Sequence, residues 1–548
     1  ATVKDVYGGK SENNGNSTGN KVFVEGGGKQ DIFGGYSQSG NATGNTVTIT
    51  GGSVRNVDGG RSLNGHATNN IVNIGSADAG FSGSITGKIN GGSGTGFGKD
   101  YVTGNKLNLY GNVSATNINH FAEINFHFNS HVNQSASFLT LSDVGGTTIN
   151  SLSDLKINGE HGRKGTLLKN TGGMITISEG GDRLVKTNEN KELVLAKSSD
   201  NKRIDYEGYQ FKGATTPTTD DGGSYKDIFG GRSILGNTTT QNEITVSDAV
   251  TYRNAYGGWT SGTGSDAPAD KQKNSTLNKI KVSGAANVTG KVYGGYTNVA
   301  GGNATGNEVT VGKTITGDVV GGKAHATGEA SDNTVTVGNA TVKSITGGDG
   351  ATTKGNTVNI NNTTVTNKIV GGTAANNDAD KANTLNVKGQ NSAQSVEGFQ
   401  KMNFNTNGVA AGGTMLNVTG AGKTKVNWNT LTVDGNGRNI SLLKNNNGID
   451  FGGTYTDGAV KSGLSADKKS ETNVSVTEDK KEIKYSGYQF TGVTTASVDG
   501  TKAYGGVSKA GNATHHNAIT VNGNYDEVYG GHTSGTSNMG VEQKNSHD

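Results

Sequence analysis

The sequence predicts an all-β parallel β-solenoid, an elongated rod with about 25 residues per rung. Three observations predict it. A β-branched residue, a variable residue and a Gly-Gly pair return along the chain, as in Val6-Tyr7-Gly8-Gly9, Ile32-Phe33-Gly34-Gly35 and Val57-Asp58-Gly59-Gly60. About ten residues after each comes a second phrase of Asn, any residue, aliphatic, any residue, aliphatic. Glycine supplies 91 of the 548 residues, which offsets a hydrophobic content of only 30% and returns the composition to the range of folded chains.

The first phrase recurs at Ile89, Ile228, Val292, Val319, Ile345, Ile369 and Val528. The asparagine of the second stands at Asn20, Asn45, Asn70, Asn105, Asn242, Asn278, Asn307, Asn333, Asn356, Asn383 and Asn517. Alternate residues of a strand point to opposite faces, so each Asn shares the inward face with its two aliphatics. One such unit encloses no core, so units must stack in register, like over like. The stacked asparagines then form a ladder in which each amide donates to the carbonyl of the next rung, satisfying a group that is costly to bury alone. The Gly pairs are expected at tight corners, where positive φ or close backbone approach excludes other residues. About 22 rungs spaced about 4.8 Å apart give a rod on the order of 100 Å long.

Residues 1–110 read as regular rungs, with a longer glycine-rich connection between Ile74 and Lys99. In 111–213 the pattern lapses, although apolar residues still alternate, which predicts continued solenoid with irregular coils. Regular rungs resume over 214–390. Segment 391–492 then repeats the landmarks of 111–213 in order: the Phe399 to Phe404 stretch answers to Phe121 to Phe126, and Gly487-Tyr488-Gln489-Phe490 answers to Gly208-Tyr209-Gln210-Phe211. The offset stays at about 273 to 279 residues, so a large module is duplicated above the short repeat. Residues 493–548 begin a third module, and both ends of the sequence fall near a Gly-Gly pair without a polar cap, so the expectation is a piece of something longer.

Lys and Arg number 49 against 46 Asp and Glu, with no long run of one sign. That gives no electrostatic footprint for nucleic acid or an anionic membrane surface. The absence of cysteine excludes disulfides and thiolate metal sites. No apolar run reaches membrane-spanning length, so no membrane insertion is expected of this segment.

A catalytic β-helix needs carboxylates at equivalent positions of neighbouring rungs. The position before Gly-Gly holds one isolated carboxylate, Asp58, and the positions between inward aliphatics, such as Lys21/Phe23, Thr46/Thr48, Lys279/Lys281 and Thr334/Thr336, form no acidic column. The adjacent His515 and His516 read as solvated loop residues, and no HExxH, GxSxG or P-loop occurs. Outward Thr-x-Thr ranks that would order ice are interrupted by Lys, Glu and Phe. The expectation is therefore no catalytic residue, no metal and no cofactor. The candidate contact residues are the aromatics flanking Gly-Gly: Tyr7, Phe33, Tyr36, Phe229, Tyr256, Trp259, Tyr293, Tyr296, Tyr504 and Tyr529. In register they fall along one outward edge, either as an amphipathic strip for a glycan or protein partner or as rings that stack and stiffen the rod.

The iterated Val-Tyr-Gly-Gly and Asn-Ala-Thr-Gly-Asn-Thr-Val-Thr-Ile phrases, with the interrupting Phe399-Gln-Lys-Met-Asn-Phe404 and Gly412-Gly-Thr-Met-Leu-Asn-Val418, carry a family likeness. The chain resembles passenger regions of autotransporter outer-membrane β-barrel proteins, the type V secreted proteins of anaerobic Gram-negative bacteria. That resemblance implies a right-handed β-helix at the bacterial cell surface, anchored through a region outside this sequence. It also implies adhesion to a host-cell or bacterial surface protein or glycan. The expected function is a non-enzymatic adhesin. The alternative is a subunit that stacks head to tail on itself into extracellular filaments, and a polysaccharide-active enzyme comes third.

Overall fold

The computed structural model describes residues 2–133, 135–159, 164–220, 226–262, 273–376, 378, 380–435, 437–465 and 467–534. The last part of the expected third module, 535–548, lies outside the described residues. The fold is an all-β parallel β-solenoid of about 19 turns with about 26 residues per turn. Among the described residues there is no α-helix. The chain forms two compact units, residues 1–210 and 211–548.

A regular turn is built from three strands. In the first unit Gly28–Ser37 carries the Gly pair, Ala42–Thr43 is short, and Thr46–Ile49 follows the ladder residue Asn45. Each pairs in parallel with its sequence equivalent one turn on: Ile32 lies beside Val57 and Gly35 beside Gly60, while Val47 and Ile49 lie beside Val72 and Ile74. These aliphatics are fully buried and run up the centre as one continuous core. The second unit repeats the plan with Thr251–Thr260, Ser275–Thr276 and Lys279–Val282. Backbone groups along the parallel strands thus pair with the turn above or below, which a single rung cannot supply.

The Gly pairs hold no left-handed φ; of the two reasons expected for them, close approach is the one that excludes side chains there. A Cβ on Gly257 would sit 2.5 Å from the Gly294 carbonyl of the next turn, and one on Gly60 would sit 2.6 Å from the Asn70 amide nitrogen. A tight corner comes one residue before every ladder asparagine except Asn383, as where Gly44, Asn69, Leu277 and Asp332 hold φ of 68°, 56°, 55° and 57°. That left-handed conformation turns the chain so that the following Asn can point inward.

The irregular segments are also not simply irregular coils. In each, parallel turns give way to an antiparallel meander. Strand Lys164–Asn170 pairs antiparallel with Arg203–Gln210, which pairs with Lys191–Lys197, which pairs with Arg183–Thr187. The second unit repeats this with Ile440–Asn445, Glu482–Gln489, Ser470–Val476 and Lys461–Leu464. Register shifts fall at matching places, between Thr166 and Leu168 and between Ser441 and Leu443. Leu195, Ile204 and Tyr206 of the first meander, and Val474, Ile483 and Tyr485 of the second, join the end of the solenoid core. Residues spent on these excursions make no turns, which is why about 19 turns stand where about 22 rungs are expected from length alone.

Candidate functional site

The asparagine ladder runs through the core of both units. In the first, Nδ2 of Asn20, Asn45 and Asn70 donates to Oδ1 of the next asparagine at 2.8, 3.0 and 3.2 Å, ending on Asn105. In the second, the chain Asn242, Asn278, Asn307, Asn333, Asn356, Asn383 is joined by bonds of 2.7 to 3.1 Å. Each Oδ1 also accepts the backbone N–H of the preceding ladder residue, as Asn333 does from Asn307 at 3.0 Å. The second amide hydrogen reaches a carbonyl of the previous turn, as from Asn307 to Ser275 O at 2.9 Å. With donors and acceptors used within the fold, these amides are occupied structurally. Gln400 extends the ladder by accepting the Asn383 N–H at 2.9 Å, a continuation hidden from an Asn-only pattern because its side chain is one methylene longer. Asn517 accepts from Val493 N at 2.9 Å and donates to Phe490 O at 3.1 Å, the contacts that Asn242 makes with Ala214 N and Phe211 O.

The Gly-flanking aromatics gather into three groups. Tyr7 stacks on Phe33 at 4.9 Å with Tyr36 edge-on to both. Phe229, Tyr256 and Tyr293 form a column with centroids 5.1 Å apart, and Tyr504 stacks on Tyr529 at 5.2 Å. Stacking covers much of what the sequence reading places outward: Phe33, Phe229, Tyr256 and Tyr293 are at most 8% exposed, although the second column packs apart from the main core. Burial pushes the Tyr256 and Tyr293 phenols up. Tyr7, 37% exposed, and the half-buried Tyr504 and Tyr529 stay partly open, as does the tier three residues further on. Trp259 and Tyr296 are half-buried and lean edge-on against the column, and the Arg232 guanidinium lies 4.7 Å from the Phe229 ring and 4.9 Å from Trp259. In the first unit Lys10 and Arg61 sit over the Tyr7 and Phe33 rings in the same way. Register makes Arg232, Trp259 and Tyr296 direct neighbours on successive turns.

Asp58 stands in this column in register with Phe33 and Asn90. Burial pushes its carboxyl up, against the Asn90 amide that donates to it at 2.9 Å. His515 and His516 approach through their Nδ1 atoms at 2.6 Å, and Thr491 Oγ1 lies 3.0 Å from the His515 Nδ1. Among the described residues no three of His, Asp and Glu gather in a way that could hold a metal ion. No helix among them is long and apolar enough to cross a membrane.

A second, outward amide ladder escapes a reading that attends to inward positions. Asn108 donates to Asn73 at 2.7 Å and Asn125 to Asn108 at 2.9 Å in the first unit. Asn386 donates to Asn359 and Asn403 to Asn386, both at 2.7 Å, in the second. The signal was legible as an Asn between two inward apolar residues on three successive turns: Val72-Asn73-Ile74, Leu107-Asn108-Leu109 and Ile124-Asn125-Phe126, then Val358-Asn359-Ile360, Leu385-Asn386-Val387 and Met402-Asn403-Phe404.

Set against protein families, curated proteins and solved structures, the chain matches none of them.

Proposed function

We propose that this protein is a non-enzymatic adhesin, a β-solenoid that displays contact residues outside a bacterial cell to a ligand on a host or bacterial surface. The observation that carries the reading is the Arg232, Trp259 and Tyr296 tier. Half-exposed aromatic and cationic side chains are held on a buried column of rings, so little rotamer freedom is lost when a partner binds. Arg, Trp and Tyr are the residue types that anchor interfaces. The autotransporter resemblance supports the surface location, and the repeated tiers support many weak contacts acting together.

The test is binding of the full chain to whole host cells and bacterial cells, beside a Trp259→Ala/Tyr296→Ala variant. Tyr256 and Tyr293 are left intact because their rings are buried and their loss would report on folding. Expected is saturable binding that falls roughly tenfold or more in the variant with unchanged circular dichroism. Protease and glycosidase treatment of the cells then separates protein from glycan ligands. Failure to bind any cell, or equal binding by the variant, would overturn the proposal.

A further inference from the structure

We infer that the outward amide ladder of the second unit is the floor of a binding groove for an extended, uncharged β-linked glycan. The groove lies on a different face of the turn from the aromatic tier and stands independently of the adhesin reading. It has a volume of about 530 Å³, is lined mostly by apolar surface, and runs across the turns that carry Thr336, Asn359, Asn386, Asn403 and Thr432. These residues are in register. Along the floor Asn403 donates to Asn386, Asn386 to Asn359, and Asn359 to Thr336 Oγ1 at 3.1 Å.

That leaves each amide half used. Among the described residues the second Nδ2 hydrogen of Asn359, Asn386 and Asn403 has no protein partner, and all three side chains are half-buried. An amide presents one donor and one acceptor side by side, the complement of a sugar hydroxyl that both gives and takes a hydrogen bond. The chain of amide bonds holds each side chain in a single orientation, so the array is preorganised.

Spacing selects the polymer. The amides repeat once per rung, about 4.8 Å, whereas an extended peptide repeats its side chains every ~6.8 Å and falls out of step within two rungs. A chain of equatorially β-linked pyranoses advances by close to one rung per ring with alternate rings turned over, so each ring meets one amide and the same ring edge returns every second rung. Charge selects further: the rim carries one cation, Lys388, and one anion, Asp434, and balances, so it favours neither a polyanion nor a polycation.

The module duplication supplies an internal contrast. The first unit has the same amide ladder, but the strand ends beside it carry Tyr110 and His127, stacked 4.2 Å apart, where the second unit has Lys388 and Asn405. Those rings stand where the second unit is open.

The experiment measures binding of the full chain to hexamers of β-1,4-linked glucose and of β-1,4-linked N-acetylglucosamine, with the coiled α-1,4-linked glucose hexamer as contrast. Two double variants accompany it. Lys388→Tyr/Asn405→His installs the first unit's ring pair, and Asn386→Thr/Asn403→Thr removes the amides while placing the residue type that stands at Thr310 and Thr336 in the same column. Expected is binding of at least one β-linked hexamer, preference over the α-linked one, and a loss of roughly tenfold or more in both variants at unchanged circular dichroism. Absence of β-hexamer binding, preference for the coiled hexamer, or full binding by either variant would overturn the groove. Cell binding by the Trp259→Ala/Tyr296→Ala chain reads the adhesin proposal separately, so either can fail without the other.

Discussion

A single ladder asparagine carries several bonds at once. Truncating Asn307 to Ala removes its side-chain bonds to Asn333 and Ser275 and leaves the N–H and amide of Asn278 without their acceptor. The expected destabilisation is about 2–4 kcal/mol in urea unfolding of the second unit, and a change below about 1 kcal/mol would show that the ladder is ornamental. Leu277 offers the opposite sign. Its φ of 55° strains a branched side chain that is 55% exposed, so Leu277→Gly should stabilise by about 0.5–1 kcal/mol in the same assay. Asp58 makes stability depend on pH. Because burial raises its folded pKa, the stability tied to its protonated form is fully present below the ordinary value of 3.8 and lost as pH rises through the folded pKa. Asp58→Asn should therefore raise the thermal midpoint at pH 7, with the gain shrinking toward zero as pH falls below about 4.

At the scale of elements, the meander is the part that needs fastening, since its strands lie outside the stack of parallel turns. Glu471, on strand Ser470–Val476, is 3% exposed and accepts hydrogen bonds from Ser508 Oγ at 2.9 Å, Ala510 N at 3.1 Å, Asn512 Nδ2 at 3.0 Å and Lys509 N. It ties the meander to the first turn of the next regular run. Replacing it by Ala strands four donors in a buried site, so amide exchange in Ser470–Val476 should accelerate at least about tenfold while Thr334–Gly338 keeps its protection. Unchanged exchange at Ser470–Val476 would mean that the Val474 and Tyr485 packing alone holds the meander.

For the whole molecule, repetition limits cooperativity. Each turn contacts chiefly its neighbours, so stability is a sum of local terms rather than one global transition. Both tryptophans, Trp259 and Trp428, lie in the second unit, whereas circular dichroism sees every strand. The two signals should give non-coincident urea transitions. A single shared transition would show that all turns unfold as one.

Much of this was legible in the sequence because a parallel solenoid pairs each residue with its own equivalent. Register follows from periodicity, and so the eleven inward asparagines and the aliphatic core positions can be read directly. The amino-acid order alone determined the fold class, the repeat and the module duplication. Three things were decided only by tertiary structure, each because it depends on approach between turns rather than on spacing along the chain. Of the two reasons the sequence allows for the Gly pairs, positive φ or close approach, the passage of one turn against the next selects close approach. Stacking, which no single rung reveals, buries Phe229, Tyr256 and Tyr293 and leaves Trp259 and Tyr296 as the open tier. The antiparallel meanders have the same alternation of apolar residues as parallel coils, so direction was invisible until strands such as Ile440–Asn445 and Glu482–Gln489 met.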